Sequence, residues 1–125
     1  MPITVEAIPA LDALYYRFSG QITHDDLNSA QEAEAPCFAL LGEDGCITVI
    51  ADMSGLHTIS ADLFPRLQNL RMVRDRRVCR VIVVGANPYM RALALSLGSF
   101  NGPHCFIFRS TLADALQSVE QAASV

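Results

Sequence analysis

The sequence contains no lysine. Its positive charge is therefore carried by arginine, and six of the nine arginines lie between residues 66 and 80, in a chain whose net charge is −4. Long apolar runs are also missing, because the longest span five to seven residues whereas a bilayer-crossing helix needs about 20. We therefore expect no membrane span and a locally basic region in an otherwise acidic molecule.

The short motifs that mark metal, dinucleotide and serine-hydrolase sites are absent as well. The four cysteines are widely spaced and form no Cys-x-x-Cys pair: Cys37, Cys46, Cys79 and Cys105. We interpret them as small, unpaired core residues in a reducing compartment. The three histidines are too scattered to predict metal ligands: His24, His57 and His104. We expect no metal and no cofactor.

Length and composition predict one domain over residues 1–125. A chain of 125 residues with an apolar fraction of 51% can bury an ordinary core without disulfides or metals. The first residues show no basic stretch leading into an apolar segment, which predicts no signal peptide. We therefore expect a cytoplasmic location.

The first half of the chain predicts a hairpin and a helix. Residues 3–8 and 13–19 alternate apolar and polar side chains, as half-buried strands do. Thr23 is the predicted N-cap of the helix that follows. Pro36 predicts that this helix breaks and that a short apolar turn follows. Glu34 marks a helix face only weakly.

The second half predicts strands that alternate with helices. Strands are expected at 46–51, 78–84 and 104–108. Because strands joined through helices run parallel, the fold class is α/β, a single-domain mixed sheet with an N-terminal antiparallel hairpin and the order ββαβαβαβα. The strand at 46–51 is apolar on both faces and should be central.

Three helix starts accompany these strands. The first is capped by Ser60 or Asp62, and its apolar stripe is Leu63, Leu67 and Leu70. The second has Asn87 as cap and ends at Gly98. The last is capped by Ser110 or Thr111.

Polar residues follow the central strand, where open α/β sheets gather their ligands. We predict a loop there and a binding or docking surface made of six residues: Asp52, Ser54, His57, Thr58, Ser60 and Asp62. A purely structural alternative stays open. In it, Asp52 and Ser54 accept backbone N–H groups of the loop, Ser60 or Asp62 caps the helix, and His57 is an exposed loop residue.

The segment 49–59, which contains Asp52-Met53-Ser54-Gly55-Leu56, together with the order of elements, resembles the STAS domain, a family named after sulfate transporters and anti-sigma-factor antagonists. The resemblance covers nearly the whole chain and implies a non-enzymatic regulatory module. Its implied partner is a second copy of the chain, in a homodimer, or another regulatory protein. The resemblance also extends to STAS-like, Sec14-like small bacterial proteins.

One position departs from the family pattern. In the antagonists a partner kinase phosphorylates a serine just before the helix, and the corresponding position here is Ala61, which has no hydroxyl. Ser60 precedes it, and a phosphate there would lie near a helix N-terminus, although Asp62 would repel it. If Ser60 is modified, the intact mass of protein from its own host carries a phosphate that Ser60→Ala removes.

Other interpretations remain open. An apolar groove between the third helix and the last strand could carry a lipid or another small apolar molecule. A hydrolase using the 52–60 loop, with a Ser-His-Asp arrangement drawn from Asp52, Ser54, His57, Thr58 and Ser60, is the third option. Arg66, Arg71 and Arg74 form either a solvated face or a basic docking face for an acidic protein. Nucleic acid is not expected, because no aromatic residues interleave the arginines.

Overall fold

A five-stranded mixed sheet forms the centre of the fold. The computed structural model describes residues 2–43, 45–101 and 105–123, and all side chains within them except those of 61, 97–101, 105 and 121–123. The strands and helices follow in this order: β1 (Ile3–Ile8), β2 (Ala13–Gln21), α1 (His24–Ala39), β3 (Ile47–Thr58), α2 (Phe64–Leu67), α3 (Arg71–Arg74), β4 (Val78–Val84), α4 (Pro88–Asn101), β5 (Cys105–Arg109) and α5 (Leu112–Ala123).

The sheet order is β1-β2-β3-β4-β5, with β3 in the middle. β1 pairs antiparallel with β2, and every other neighbouring pair is parallel. This arrangement confirms the predicted fold class, the N-terminal hairpin and the central strand. Because β2 to β5 run in the same direction, their C-terminal ends share one edge of the sheet, called here the carboxyl edge.

Helices cover both faces of the sheet. Side chains of α1 to α4 pack with Val49 and Val81 of the sheet in one core. The next residues along the same strands, Ile50 and Ile82, point to the opposite face and pack against α5. In the part of the chain that the structure describes, no helix combines the length and apolar character that a bilayer crossing requires.

Local capping signals position three of the helices as predicted. Thr23, Asn87 and Thr111 each accept a hydrogen bond from the backbone N–H three residues later, at 3.3, 2.9 and 3.2 Å. These bonds satisfy N–H groups that have no partner within the helix. The last strand, expected over 104–108, is β5 at Cys105–Arg109, and His104 lies outside the described residues.

Two predicted helix ends are wrong. Helix α1 contains Pro36 and continues to Ala39. Proline removes a single intrahelical hydrogen bond close to the helix end, and the side chain of Phe38, only 1% exposed, holds the last turn against the core. Helix α4 likewise continues past Gly98 to Asn101, because a glycine inside a helix costs only about 1 kcal/mol.

The predicted loop after the central strand is also wrong in its first part, because β3 continues to Thr58. β2 reaches Gln21 and provides the pairing partner for this extension, with Ser19 opposite Gly55 and Gln21 opposite Thr58. The register shifts twice along the extension, which indicates bulges. Long-range pairing with β2 therefore overrides the loop-like composition of the segment.

A broken connection replaces the single helix expected after β3. A 3₁₀ turn at Ala61–Leu63 runs into α2, and α3 follows after Leu70, whose backbone is extended. Leu63, Leu67 and Leu70 are buried as the apolar stripe predicts. The break turns the chain so that α3 buries two further side chains, Met72 and Val73.

The predicted caps of this helix are wrong too. Helix α2 begins after Leu63, and no side-chain hydrogen bond caps it. Ser60 contributes its backbone carbonyl instead, which accepts the N–H of Leu63 at 3.1 Å. The side chain of Asp62 is directed to a partner in α1, as described below.

Two of the cysteines are not unpaired core residues. Cys46, which is exposed just before β3, and Cys79 in β4 form a disulfide with a Cα–Cα distance of 5.5 Å. The register of β3 with β4 shifts by one residue at this point, which leaves Cys79 without an opposite residue. Cys37 is a free thiol, and burial raises its pKa. The sequence prediction failed because strand register, rather than spacing, brings Cys46 and Cys79 together.

Candidate functional site

Asp52 is held firmly at the carboxyl edge. It follows Ile50 by two residues and therefore lies on the α5 side of the sheet. Its carboxylate accepts hydrogen bonds from the Tyr15 hydroxyl at 3.0 Å, the Ser54 hydroxyl at 2.6 Å and the Ser54 amide at 3.0 Å. Only 8% of the residue is exposed. With this many donors satisfied inside the protein, Asp52 organises the strand end.

These contacts also fix the charge of Asp52. Burial by itself raises the pKa of the carboxyl group, but the hydrogen bonds from Ser54 and Tyr15 and the nearby Arg17 guanidinium lower it by more. The net result is a pKa below the ordinary value and a carboxylate at neutral pH. Tyr15 responds in the opposite sense, since burial and the contact with Asp52 raise its pKa.

Gly85 packs against Ser54 where β4 ends. It has φ +68°, and a Cβ built on it would lie 2.7 Å from the Cβ of Ser54. A larger residue at position 85 would therefore clash with the strand that carries Asp52. The requirement for glycine has two sources here, the left-handed backbone and the close approach of the two segments.

The end of β3 presents polar side chains to solvent. Leu56 and Ile59 are buried at 8% and 5% exposure, whereas His57, Thr58 and Ser60 are exposed. The apolar residues anchor the segment and leave the polar residues between and after them available for contact.

The N-terminal turn of α1 lies beside this strand end. The His24 Nε2 atom is 3.3 Å from a carboxylate oxygen of Asp62, and both side chains are exposed. On its other side, the His24 Nδ1 atom is 3.2 Å from the guanidinium of Arg66, which also contacts Asn28. We call the five exposed residues His24, His57, Thr58, Ser60 and Asp62 the carboxyl-edge surface.

The structure divides the six predicted site residues into two groups. Asp52 and Ser54 bond to each other on the α5 side of the sheet. The remaining four belong to the carboxyl-edge surface, and Asp62 extends from the turn that begins at Ala61. His24 was not predicted, and only its position next to the N-cap Thr23 could have indicated that it lies at a helix end.

The three arginines proposed as a basic face have different surroundings. Arg66 contacts His24 at the start of α1. Arg71 lies over the ring of Phe38 near the end of the same helix, with its guanidinium carbon 6.0 Å from the ring centroid. Arg74 donates to Asn69 at 3.4 Å. The interrupted helix separates these side chains, and a role in docking an acidic protein stays a prediction.

One buried carboxylate, that of Glu34, was not predicted to hold several elements together. Glu34 in α1 is fully buried and accepts hydrogen bonds from the backbone N–H groups of Arg71 at 3.0 Å and Met72 at 3.2 Å, and from the Tyr16 hydroxyl. Its place on the helix face of Leu27 and Phe38 is the signal that could have identified it.

The arrangement does not form a Ser-His-Asp triad. The Ser54 hydroxyl bonds directly to Asp52, and within the described residues no hydrogen bond joins His57 to either of them. A triad needs the imidazole between the nucleophile and the carboxylate. Among the same residues, no group of three or more His, Cys, Asp or Glu side chains could hold a metal ion.

The apolar space between α2, α3 and α4 is small. Side chains that include Phe18, Met53 and Met90 enclose about 30 Å³, without polar lining. This volume is close to that of one water molecule and far below the roughly 300–1,000 Å³ of typical small-molecule sites. This space is too small for a lipid tail; the groove expected between the third predicted helix and the last strand includes side chains outside the described ones, and an apolar ligand there stays a prediction.

Comparisons with known proteins agree with this fold. One solved structure, an uncharacterized DUF3478-family protein with a SpoIIAA-like fold from Shewanella loihica PV-4, superposes with a TM-score of 0.68 and 22% identity, covering 94% of this chain and 91% of the other. The chain has a SpoIIAA-like fold. A second structure, the anti-sigma factor antagonist SpoIIAA in its unphosphorylated form, gives a TM-score of 0.61 and 17% identity, covering 94% and 97%.

The likeness to SpoIIAA confirms, at the level of the fold, the resemblance that the sequence indicates. No family model matches the sequence, and the search of curated proteins finds no match. In this fold, the turn at Ala61–Leu63 and α2 follow β3 directly in the chain. Function must therefore be argued from the residues of that segment.

Proposed function

We propose that the protein is a non-enzymatic regulatory module that binds another protein through the carboxyl-edge surface. The observation that carries this proposal is the bulged end of β3 with the two residues after it, a segment that buries Leu56 and Ile59 in the core and exposes His57, Thr58 and Ser60. Such an arrangement gives a polar surface a rigid base, which lowers the entropic cost of docking.

The fold and the surface chemistry support one class of partner. A solved structure with the same fold is named as an anti-sigma factor antagonist, which supports an anti-sigma factor as the partner of this chain. The carboxyl-edge surface offers hydroxyl and imidazole groups and one carboxylate, Asp62, and the imidazole of His24 lies between Asp62 and the guanidinium of Arg66. Mixed polar groups of this kind suit the rim of a regulated, reversible interface.

A phosphoserine switch at residue 61 is not part of the proposal, because that residue is alanine. Ser60 is the neighbouring hydroxyl and is exposed. Its modification stays a prediction, which the intact mass of protein from the native host tests. If the mass shows no added phosphate, the proposed module is regulated by the abundance of its partner alone.

The experiment is a calorimetric titration of the protein with an anti-sigma factor encoded in its own genome. Thr58→Arg places a large charged side chain on the carboxyl-edge surface, and we expect it to weaken binding at least about tenfold. Gln117→Arg, at an exposed position on α5, is the matched control and should bind like the wild type. Equal affinity of all three proteins, or no binding by the wild type, contradicts the proposal.

A further inference from the structure

A second cleft opens on the α5 side of the sheet, near the N-terminal ends of β3 and β4. It has a volume of about 470 Å³, within the range of small-molecule sites. Its polar lining consists of Asp12, Cys46, Thr48 and Arg80. The cleft therefore combines an exposed cysteine, a carboxylate and a guanidinium, and none of these groups takes part in the proposed docking surface.

The sulfur atom belongs to the Cys46–Cys79 disulfide. Cys46 is exposed and lines the cleft, whereas Cys79 is half-buried. A thiolate attacks a disulfide at the sulfur that it can reach, so exchange is directed to Cys46. The Cys79 sulfur lies 3.7 Å from the carbonyl oxygen of Ile47, which can accept the hydrogen of the thiol that is released.

Arg80 and Asp12 supply opposite charges in the same cleft. One guanidinium nitrogen of Arg80 donates to the Thr48 hydroxyl at 2.8 Å, and in the described residues its other N–H groups have no protein acceptor. Asp12 is exposed, and its backbone is fixed in the left-handed region at φ 49°. Hydrogen bonds hold it there, from its own N–H to Pro9 at 3.2 Å and from the N–H of Thr48 to its carbonyl at 3.1 Å.

We propose that this cleft binds a small zwitterionic thiol, and that the bound thiol exchanges with the Cys46–Cys79 disulfide at the sulfur of Cys46. The carboxylate of the ligand pairs with Arg80, which suits that anion through its forked donors. The ammonium group of the ligand pairs with Asp12. A neutral thiol gains neither contact.

The exchange is balanced without an added oxidant. The thiol of the ligand loses its proton to solvent, and the resulting thiolate forms a bond with the sulfur of Cys46. The bond between Cys46 and Cys79 breaks, and Cys79 leaves as a thiolate that takes up a proton from water. The product carries the whole ligand molecule as a mixed disulfide on Cys46 and a free thiol on Cys79.

The test follows disulfide opening by reduced glutathione and by 2-mercaptoethanol, with acid quenching and intact mass measurement. Arg80→Gln should slow the reaction with glutathione about tenfold, as expected for the loss of a charge-assisted hydrogen bond. Its reaction with 2-mercaptoethanol should stay within about twofold of the wild type. Arg80→Lys keeps the charge and should recover part of the rate, and Arg76→Gln, at an exposed arginine outside the cleft, is the control.

The position of the adduct provides a second readout that does not depend on the Arg80 variants. Cys79→Ser treated with oxidised glutathione should carry the adduct on Cys46, as located by peptide mapping. An adduct found on Cys37 instead overturns the proposal. The proposal is also overturned if the disulfide of the wild type reacts with glutathione no faster than with the neutral thiol 2-mercaptoethanol. It is overturned as well if Cys46 and Cys79 are both free in protein purified without reductant.

Discussion

The carboxylate of Glu34 in α1 accepts a hydrogen bond from the hydroxyl of Tyr16 in β2, and both side chains are fully buried. The same carboxylate accepts the backbone N–H groups of Arg71 and Met72 at the start of α3. One side chain therefore connects the first helix, the sheet and the broken segment that follows the carboxyl-edge surface. Burial raises the pKa of Glu34, despite these hydrogen bonds.

Glu34→Ala should destabilise the protein by at least about 3 kcal/mol, because three donors lose a buried acceptor and each unsatisfied donor costs about 1–3 kcal/mol. Urea denaturation measures this change. Glu32→Ala, an exposed glutamate on the same helix, should stay within about 0.5 kcal/mol of the wild type. A similar loss in both variants would show that helix propensity, and not the buried contacts, is responsible.

The raised pKa of Glu34 predicts a dependence of stability on pH. The protonated form is favoured in the folded state, so its contribution is complete below the unfolded pKa of about 4.3 and is lost as pH rises through the folded pKa. Glu34→Gln cannot ionise. The free energy of unfolding of the wild type minus that of Glu34→Gln should therefore decrease from pH 4 upward and then level off. A difference that grows with pH contradicts this assignment.

Asp52 predicts a dependence of stability on pH with the opposite sign to that of Glu34. Its pKa is lowered in the folded protein, so its contribution is present above the unfolded pKa of about 3.9 and is lost as pH falls through the folded pKa. Asp52→Asn should cost about 1–3 kcal/mol at pH 7, and less at pH 3. Denaturation curves at the two pH values measure this change. An equal cost at both would mean that the altered hydrogen bonding of the amide, and not the loss of the negative charge, is responsible.

Substitutions at Gly85 and Gly20 allow the cost of backbone strain to be measured separately from the cost of close packing. Both have positive φ, at +68° and +66°, but a Cβ at Gly20 meets nothing within 4 Å whereas one at Gly85 meets Ser54. Gly20→Ala should cost about 1–2 kcal/mol, from the left-handed backbone alone. Gly85→Ala should cost about 1–3 kcal/mol more, because of overpacking. Equal thermal denaturation midpoints of Gly20→Ala and Gly85→Ala would show that the contact with Ser54 adds no cost.

Local signals in the sequence explain which parts of the fold could be predicted. The alternating strands of the hairpin and the caps Thr23, Asn87 and Thr111 depend on residues that are close in the chain. The order of elements then restricts the topology to a mixed sheet with parallel crossovers. The extension of β3 to Thr58 could not be predicted in this way, because β2 supplies its hydrogen bonds.

The candidate site shows the same division. The polar residues after the central strand could be found in the sequence because they follow an apolar run directly. The partners of those residues could not. His24 and Asp62 are 38 positions apart, and the Tyr15–Asp52 contact spans 37 positions. Contacts of this kind arise from strand register and helix packing, which single-sequence periodicity does not encode.

The central claim is that the carboxyl-edge surface is where the partner docks. The most direct measurement is an NMR titration of the isotope-labelled protein with the anti-sigma factor of its own host, following backbone amide shifts. The claim predicts that the largest changes occur at His24 and in residues 55–62, with α5 unchanged. Large changes on α5 or β1, with residues 55–62 unaffected, would contradict it.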